Sequence, residues 1–422
     1  MKFPDGFLWG AATAAHQVEG GNTNSDLWLL EQVEGTLFQE PSGQACDHFT
    51  RYRDDMALLK ALGFSAYRFS VEWARIEPAP GEFSVAMLDH YRRMLAACHE
   101  HGLGAVVTMH HFTTPRWLAA RGGWESMDSA DLFARYCEKI SRHLGDLIDV
   151  ACTLNELNLS TILSQAGFLA DDDLILSTPW RTAAARACGV DPDQFSSFPF
   201  CVRGKSREVM LAAHRLGAQA LRSGHHRFPV GMTLSMQEME AVDGGEAMRD
   251  RMQYECEGIF LEAARGDDFV GVQCYTRARY GPHGLVPVHD AEFTQMGYEF
   301  RPEALEAAVR FAGATAQVPV IVTENGVATE DDSRRIVYLQ RALAALARCV
   351  ADGVDVRGYF HWSLLDNFEW IFGYRPKFGL IAVDRETQRR VVKPSAHWLG
   401  RIAQTNSLPP HEEHQPALSA SK

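Results

Sequence analysis

Short apolar runs alternate with longer amphipathic segments eight times along this chain. The apolar runs predict β-strands at residues 7–13, 66–73, 104–112, 148–156, 228–236, 267–276, 318–326 and 356–366. The amphipathic segments predict helices at residues 47–63, 84–102, 128–144, 206–223, 246–265, 302–313, 331–353 and 394–404. Alternation of this kind implies parallel pairing, and eight strands are the number that closes a barrel. The sequence therefore predicts an α/β protein with the (β/α)8 TIM-barrel fold.

No linker or change of composition divides the chain, so residues 1–404 are predicted to form one barrel domain. The longest interruption lies at 165–203, where Pro, Ser, Asp and Phe are mixed without a regular period. It follows the fourth strand, on the face where such barrels carry their chemistry, which favours a functional loop over a second domain. Residues 405–422, rich in Pro, Glu, His and Ser, are predicted to form a disordered tail.

Charge and cysteine content limit the partners and the compartment. The formal net charge is −13 and no Lys/Arg-rich tract offsets it, which argues against nucleic acid and favours a neutral or cationic small substrate. The nine cysteines are dispersed without a C-x-x-C pair, as is typical of reduced cytoplasmic thiols. The start, MKFPDGFLWG, lacks the apolar core of a secretory signal, and no segment has the length of a membrane span. The sequence predicts a soluble cytoplasmic protein and leaves its oligomeric state open.

Two of the predicted strands end in a glutamate. The run VPVIVTENG at 318–326 places Glu324 at the tip of a buried strand, and the run at 150–156 ends in Asn155 and Glu156. A single glutamate at a strand tip would more simply cap a helix or form an ion pair. In one closed barrel, however, the two glutamates face each other, and a facing pair of carboxylates is what cleavage of a glycosidic bond requires.

The other strand tips carry side chains that suit a sugar. Acids, amides, an arginine, histidines and aromatic residues lie at or just after the ends of five of the strands: Gln17, Glu19, Arg68, Glu72, His110, His111, Gln273, Tyr275, Trp362, Asp366, Asn367, Glu369 and Trp370. Amides and acids pair with hydroxyl groups, and aromatic rings cover the C–H faces of a sugar ring. Each residue alone is compatible with a structural role, but their shared location favours a carbohydrate site.

Other barrel chemistries fit these strand tips less well. A Schiff-base aldolase needs a strand-tip lysine, whereas lysines such as Lys60, Lys139 and Lys393 fall on predicted helices or outer loops. A metal-dependent hydrolase needs clustered ligands, but the neighbours His110 and His111 point to opposite faces of a strand. No Gly-rich phosphate loop follows a strand. We therefore expect no metal and no other cofactor.

The order of the motifs resembles that of glycoside hydrolase family 1, the retaining β-glucosidase family, from residue 3 to about residue 398. The matching blocks are FPDGFLWGAATAAHQVEG, YRFSVEWARIEP, TMHHFTTPRWL, TLNEL, DFVGVQCYT, VTENG and GYFHWSLLDNFEWIFGYRPKFGL. A lone T-E-N-G would be a weak signal, whereas seven blocks in register are specific. The resemblance implies a catalytic barrel that hydrolyses a small β-glycoside or oligosaccharide with retention and without a cofactor.

The resemblance also implies a role for each matched residue. Glu324 matches the nucleophile and Glu156 the general acid/base, while Arg68 and Tyr275 match residues that hydrogen-bond the nucleophile and would keep it ionised. The residues at sugar-binding positions are Gln17, His111, Asn155, Gln273, Trp362, Glu369, Trp370 and Phe378. The pair Glu369 and Trp370 argues against the branch of the family that acts on 6-phosphorylated sugars, because a glutamate repels phosphate.

Four features depart from the family pattern. Leu157 replaces the usual proline after the acid/base, which predicts a less rigid turn. Gln273 replaces an asparagine, Phe112 stands where many members have tryptophan, and the 165–203 loop differs from the usual segment. The first hypothesis is a retaining β-glycosidase acting on glucosides and also on galactosides or fucosides. Two alternatives stay open: a transglycosylase that uses the same glutamates, and a non-catalytic glycan-binding barrel.

Overall fold

A ring of parallel strands forms the centre of the molecule. The computed structural model describes residues 1–167, 169, 175–201 and 205–409. Within these residues the barrel strands are Leu8–Ala12 (β1), Ala66–Ser70 (β2), Gly104–His110 (β3), Val150–Leu154 (β4), Val230–Ala241 (β5), Phe269–Gly281 (β6), Val320–Asn325 (β7) and Val356–Trp362 (β8). Each strand pairs in parallel with the next, and β1 also pairs with β8, so the ring closes. The predicted (β/α)8 barrel is confirmed, and each predicted strand overlaps one of the eight.

Helices surround the barrel. The described α-helices are Ala15–Val18, Asp26–Gln32, His48–Leu62, Trp73–Ile76, Val85–Glu100, Arg116–Ala119, Asp128–Leu144, Leu159–Gln165, Pro179–Cys188, Ser206–Arg222, Glu246–Gln253, Ile259–Ala263, Ala304–Ala316, Asp332–Ala351 and Pro394–Thr405. Single 3-10 turns lie at Gly123–Glu125, Gly145–Leu147, Phe198–Phe200 and Trp370–Phe372. A π turn at Tyr254–Gly258 divides the helix predicted at 246–265.

The helix Asp332–Ala351 shows how the sequence determines such an element. Asp331 precedes it as the N-cap, and its carboxylate accepts a hydrogen bond from the backbone N–H of Ser333 at 2.9 Å. Leu339, Leu343 and Leu346, spaced four and three residues apart, are fully buried. The helix therefore packs its apolar face inward and leaves its polar face in solvent.

The inside of the barrel has an apolar floor. Val106, Cys152, Ile321 and Phe360 from four different strands pack together there. Side chains two positions apart on a strand share a face, so Trp362 follows Phe360 on the inner face and lies nearer the carboxyl end. The same alternation brings the polar strand-tip residues to the open end of the barrel, above the floor.

Strands β5 and β6 continue past the barrel as a two-stranded extension, whereas the sequence predicts that they end at 236 and 276. Charged residues pair across this extension: Glu240 forms ion pairs with Arg277 at 3.0 Å and with Arg279 at 2.9 Å. These charged positions alternate with the buried apolar residues Met239 and Ala278, so the extension has the period of two that marks a half-buried strand. The period therefore continues past 236 and 276, and the predicted strand ends fall too early.

The described part of the predicted tail packs against the amino terminus. The helix Pro394–Thr405 is followed by Asn406, whose Oδ1 accepts a hydrogen bond from Trp9 Nε1 at 2.9 Å. Residues 410–422 of that tail lie outside the described residues. Among the helices that are described, none is both long enough and apolar enough to cross a bilayer.

Candidate active site

A cavity of about 220 Å³ lies at the carboxyl-terminal end of the barrel. Nine of the twelve site residues predicted from the sequence line it: His111, Asn155, Glu156, Tyr275, Glu324, Trp362, Glu369, Trp370 and Phe378. The other three, Gln17, Arg68 and Gln273, are fully buried and donate hydrogen bonds to lining residues. The structure therefore brings all the predicted side chains together at one place.

Glu324, at the end of β7, is held by three hydrogen-bond donors. Its Oε1 accepts from Arg68 Nη1 at 2.6 Å and from Gln273 Nε2 at 3.0 Å, and its Oε2 accepts from the Tyr275 hydroxyl at 2.7 Å. Burial raises the pKa of Glu324, and the charge of Arg68 and the hydroxyl of Tyr275 act against that rise. The sequence predicts the contacts of Glu324 with Arg68 and Tyr275, which lower its pKa. It does not predict the larger effect of burial, which raises that pKa. The donors fix the orientation of this carboxylate, as a nucleophile requires.

Glu156 lies in the turn after β4, with its side chain at the cavity wall. Burial raises the pKa of Glu156 well above its ordinary value, and the negative charge of Glu324 raises it further. Arg68 lowers the pKa of both carboxyls, yet it donates a hydrogen bond directly to Glu324. A proton shared by this coupled pair therefore resides on Glu156.

Asn155 precedes Glu156 in the chain, and hydrogen bonds to its side-chain oxygen fix its orientation. Its Oδ1 accepts from Arg68 Nη2 at 2.5 Å and from Gln273 Nε2 at 2.8 Å. The longer side chain of Gln273, an asparagine in the family pattern, thus reaches both Asn155 and Glu324. The Nδ2 of Asn155 is buried and has no hydrogen-bond partner among the described residues. Its two N–H donors remain available to a ligand in the cavity.

Gln17 and Glu369 form a polar group on another wall. Gln17 Nε2 donates to the backbone oxygen of Phe368 at 2.7 Å and to Glu369 Oε2 at 3.2 Å, and its Oε1 is buried without a partner in the described structure. Burial, followed by repulsion from Glu324, raises the pKa of Glu369 to about 8. Both side chains carry unused hydrogen-bonding capacity, which suits sugar hydroxyl groups.

Aromatic rings lie beside the polar groups of the cavity. The imidazole of His111 stacks on Trp362 and Trp370, with ring centroids 5.6 and 6.0 Å apart. Burial and the charge of Arg68 lower the pKa of His111 well below its ordinary value, so the ring is neutral. His110 instead packs against Trp124, as the alternation along a strand predicts. Within the described residues, no group of three or more His, Cys, Asp and Glu side chains is arranged to bind a metal.

The cavity also has a wall that was not predicted from the sequence. Its side chains, most of them apolar, are Leu27, Phe38, Phe112, Leu159, Leu163, Pro199, Phe200, Ser235, Met296, Tyr298, Ile371 and Phe372. Phe112 carried a signal, because it departs from the family pattern. Most of the others come from the connections that follow several strands, where no period indicates which side chains turn inward. Their convergence depends on the packing of the loops.

Two backbone N–H groups of the turn that carries Glu156 donate hydrogen bonds to Thr233. The N–H of Leu157 donates to Thr233 O at 3.2 Å, and the N–H of Glu156 donates to Thr233 Oγ1 at 3.3 Å. A proline at position 157 could not form the first of these bonds, because it has no N–H. The bonds from this turn to β5 replace part of the rigidity that a proline ring would supply.

Fold and site together define a class of protein. A (β/α)8 barrel with two carboxyls of different surroundings, set among amides and aromatic rings at the carboxyl ends of the strands, is a glycoside hydrolase. The model of the family described as Glycosyl hydrolase family 1 matches residues 1–172 and 273–408. The chain belongs to this family, and the resemblance seen in the sequence is confirmed. The unmatched residues, 173–272, include most of the loop that departs from the family pattern.

Known proteins are similar to the chain over nearly its whole length. It is 33% identical to thermostable beta-glucosidase B of Thermobispora bispora, with 97% of this chain and 92% of that protein covered. It is 31% identical to a bifunctional beta-D-glucosidase/beta-D-fucosidase of Bifidobacterium breve, with 96% and 99% covered. Among solved structures, beta-glycosidase BGL167 superposes with a TM-score of 0.93 at 53% identity, with 98% of this chain and 100% of that chain covered.

Proposed function

We propose that this glycoside hydrolase cleaves β-glycosides with retention, with Glu324 as the nucleophile and Glu156 as the general acid/base. The contrast between the two buried carboxyls carries the proposal. Glu324 accepts three hydrogen bonds, two of them from Arg68 and Tyr275, whereas burial and the charge of Glu324 keep the proton on Glu156. In retaining enzymes the two carboxyl groups lie about 5–5.5 Å apart, so that one attacks the sugar directly.

The electrostatics of the pair account for both steps of a double displacement. In the first step Glu324 attacks the anomeric carbon and Glu156 protonates the leaving oxygen, which gives a glycosyl-enzyme. Glu324 loses its negative charge in this intermediate, so the repulsion that raised the pKa of Glu156 disappears. Glu156, now a carboxylate, removes a proton from the incoming water, and the attack of that water on the anomeric carbon releases Glu324.

The remaining lining residues bind the sugar. We assign the free N–H groups of Asn155 to the 2-hydroxyl, where a hydrogen bond that strengthens in the transition state contributes to catalysis. The ring of Trp362 is a platform for the sugar, and Phe378 forms an apolar wall of the same site. The residues assigned to the 3-, 4- and 6-hydroxyls are Gln17, His111, Glu369 and Trp370.

The proposed substrates are unphosphorylated glucosides, with galactosides and fucosides as further substrates. The similarity to a beta-glucosidase and to a bifunctional beta-D-glucosidase/beta-D-fucosidase supports this range. No Lys or Arg is among the described residues that line the cavity beside Glu369, so no cation in the lining would compensate the charge of a sugar phosphate. Gln273 is not among the residues that line the cavity, and it acts through its hydrogen bonds to Glu324 and Asn155.

We extend the proposal to the setting of the enzyme. Residues 1–404 form the catalytic unit, which needs no cofactor and acts on a small β-glycoside or oligosaccharide. The nine free and dispersed cysteines support a cytoplasmic location. The acidic net charge supports a small-molecule substrate over nucleic acid.

The test is hydrolysis of p-nitrophenyl β-glucoside, β-galactoside, β-fucoside and β-glucoside 6-phosphate side by side, with the first-formed anomer followed by NMR. We expect turnover of the unphosphorylated sugars with the β anomer released first. An α anomer first would contradict retention. Transfer of the sugar to an added alcohol in preference to water would indicate a transglycosylase. Binding of a glucose-like inhibitor without any turnover would indicate a glycan-binding barrel.

A further inference from the structure

The leaving-group side of the cavity is built from apolar side chains. Glu156 protonates the leaving oxygen, so the aglycone lies beside Glu156 and the segment that follows it. Leu159 and Leu163 lie four residues apart on the helix Leu159–Gln165, and both line the cavity. Phe200, later in the same connection between β4 and β5, lines it as well.

Loops after other strands continue this apolar wall. They contribute Leu27, Phe38, Met296, Ile371 and Phe372, whereas Pro199 precedes Phe200 in the connection between β4 and β5. Among the described lining residues outside the sugar-binding set, Ser235 and Tyr298 are the ones that offer a polar side-chain group. A second sugar at this place would bring several hydroxyl groups next to carbon atoms, and buried polar groups without partners are costly.

We propose that the aglycone of the natural substrate is an aryl or alkyl group rather than a second sugar. The inference rests on the proposed function, because the role of Glu156 defines which side of the cavity receives the leaving group. An apolar aglycone gains affinity by leaving water for this wall. The gain is at most about fourfold for each buried methylene.

Methyl, butyl and octyl β-glucoside compared with cellobiose test this inference. The three alkyl glucosides share one sugar and similar leaving alcohols, so their chemistry is nearly constant and their contact with the wall changes. We expect kcat/KM to rise along the series, and cellobiose to fall below butyl β-glucoside. A flat series, or a kcat/KM for cellobiose above that of octyl β-glucoside, would overturn the inference.

A variant of the wall links the trend to the structure. Leu163→Asn keeps a side chain of similar size but places an amide in the wall, so we expect the octyl-to-methyl ratio of kcat/KM to fall severalfold. Leu285→Asn makes the same change at an exposed position outside the cavity and should leave the ratio as it is. An unchanged ratio in Leu163→Asn contradicts the inference. Absence of p-nitrophenyl β-glucoside turnover in the unaltered protein counts against the proposed function instead.

A second, independent observation concerns the turn that holds Glu156. Glu156 has a backbone φ of 44°, in the left-handed region, which a non-glycine residue adopts only when its surroundings hold it there. Asn158, two residues later, is fully buried and uses its whole amide to tie this turn to neighbouring segments. Its Nδ2 donates to Ser235 O at 2.7 Å and to Cys256 O at 2.9 Å, and its Oδ1 accepts from the N–H of Ser235 at 2.9 Å.

We infer that Asn158 is a positioning residue for Glu156. It connects the turn to β5 at Ser235 and to the π turn Tyr254–Gly258 at Cys256, so it fixes the turn from two sides. Asn158 is not among the residues that line the cavity, and it acts through the backbone that carries the acid/base. Position 157 is leucine in place of the family's proline, so no proline ring restricts the turn. The amide of Asn158 restricts it instead.

The test compares substrates that differ in their need for an acid. Glycosylation by 2,4-dinitrophenyl β-glucoside needs little protonation of its leaving group, whereas methyl β-glucoside depends on a well-placed Glu156. In Asn158→Ala we expect kcat/KM for methyl β-glucoside to fall roughly tenfold further than for the dinitrophenyl substrate. Asn158→Asp keeps the bond from the N–H of Ser235, loses both donors to backbone oxygens, and should show the same split.

Asn24 offers the matched control. Its Nδ2 also donates to two backbone oxygens, Ala74 O at 3.0 Å and Pro78 O at 3.1 Å, and it does not line the cavity. We expect Asn24→Ala to affect the two substrates equally. If Asn158→Ala and Asn158→Asp each lowered kcat/KM by the same factor for both substrates, the residue would only stabilise the fold. This result would overturn the inference.

Discussion

Replacing Tyr275 with phenylalanine tests how Glu324, the proposed nucleophile, is kept ionised. The hydroxyl of Tyr275 donates to Glu324 Oε2 at 2.7 Å, and phenylalanine removes this donor while keeping the ring. A hydrogen bond to the charged form of a carboxyl lowers its pKa, so its loss raises the pKa of Glu324. Glu324 must be ionised to attack, and the acidic limb of the kcat/KM profile should therefore move to higher pH.

The size of this shift follows from the contacts that remain. A hydrogen bond to a charged group contributes about 1.5–3 kcal/mol, which corresponds to about 1–2 pH units. Arg68 opposes the effect of burial on Glu324 more strongly than Tyr275 does, and Arg68 and Gln273 still donate to Glu324 in the variant. We therefore expect the lower end of the range, about one pH unit.

The assay is the pH dependence of kcat/KM for p-nitrophenyl β-glucoside in the unaltered enzyme and in Tyr275→Phe. Tyr136→Phe is the control, because it removes a buried hydroxyl that donates to Met109 O at 3.1 Å and does not line the cavity. Its acidic limb should stay in place. An acidic limb that does not move in Tyr275→Phe, or that moves to lower pH, would refute the account of how Glu324 is held.

Three further changes test other parts of the structure. Glu156→Ala should reduce kcat/KM for methyl β-glucoside far more than for 2,4-dinitrophenyl β-glucoside, and equal losses would argue against acid catalysis. Above its own pKa of about 8, Glu369 carries a negative charge that raises the pKa of Glu156, so in Glu369→Gln the basic limb of the kcat/KM profile should move to lower pH, which initial rates measured across the pH range would show. Arg390 donates two hydrogen bonds to the buried carboxylate of Asp55, at 2.7 and 2.9 Å. Arg390→Met leaves this carboxylate without the arginine, so the free energy of unfolding, measured in urea at neutral pH, should fall by about 3–5 kcal/mol.

The loss of stability in Arg390→Met should depend on pH. Burial raises the pKa of Asp55, but hydrogen bonds from Arg390 and His48 outweigh it, so the pKa in the folded protein is lower than in the unfolded chain. The ionised carboxylate therefore stabilises the fold above its unfolded pKa, and this contribution is lost as the pH falls through the folded value. The difference between the unaltered protein and Arg390→Met should shrink in acid. A constant difference would contradict this explanation.

The barrel could be predicted from the sequence because its strands are marked by their burial. Runs such as 318–326 are apolar on both faces and bounded by Pro and Gly, and this pattern fixed the strand that carries Glu324. The extension of β5 and β6 carried a weaker signal. Glu240, Arg277 and Arg279 pair by charge, and Met239 and Ala278 are buried between them, so its period of two is short and shows apolar residues at alternate positions only.

The polar half of the site could be predicted, and the apolar half could not. Glu156 and Glu324 end regular strands, so their meeting follows from barrel closure alone. Leu27, Phe200 and Met296 meet only because separate loops fold over the same end of the barrel. The effect of burial on Glu324 was missed for a related reason, since desolvation depends on everything packed around a group, whereas Arg68 and Tyr275 could be identified individually.

The most direct test of the central claim is to trap the covalent intermediate. A 2-deoxy-2-fluoro-β-glucosyl donor with a good leaving group slows both steps, and its reactive leaving group lets the first step outrun the second, so the glycosyl-enzyme accumulates. We predict that the mass of the enzyme rises by one fluoroglucosyl group and that peptide sequencing places this group on Glu324. A label on another residue, or no covalent adduct in an enzyme that turns over glucosides, would contradict the assignment of Glu324 as the nucleophile.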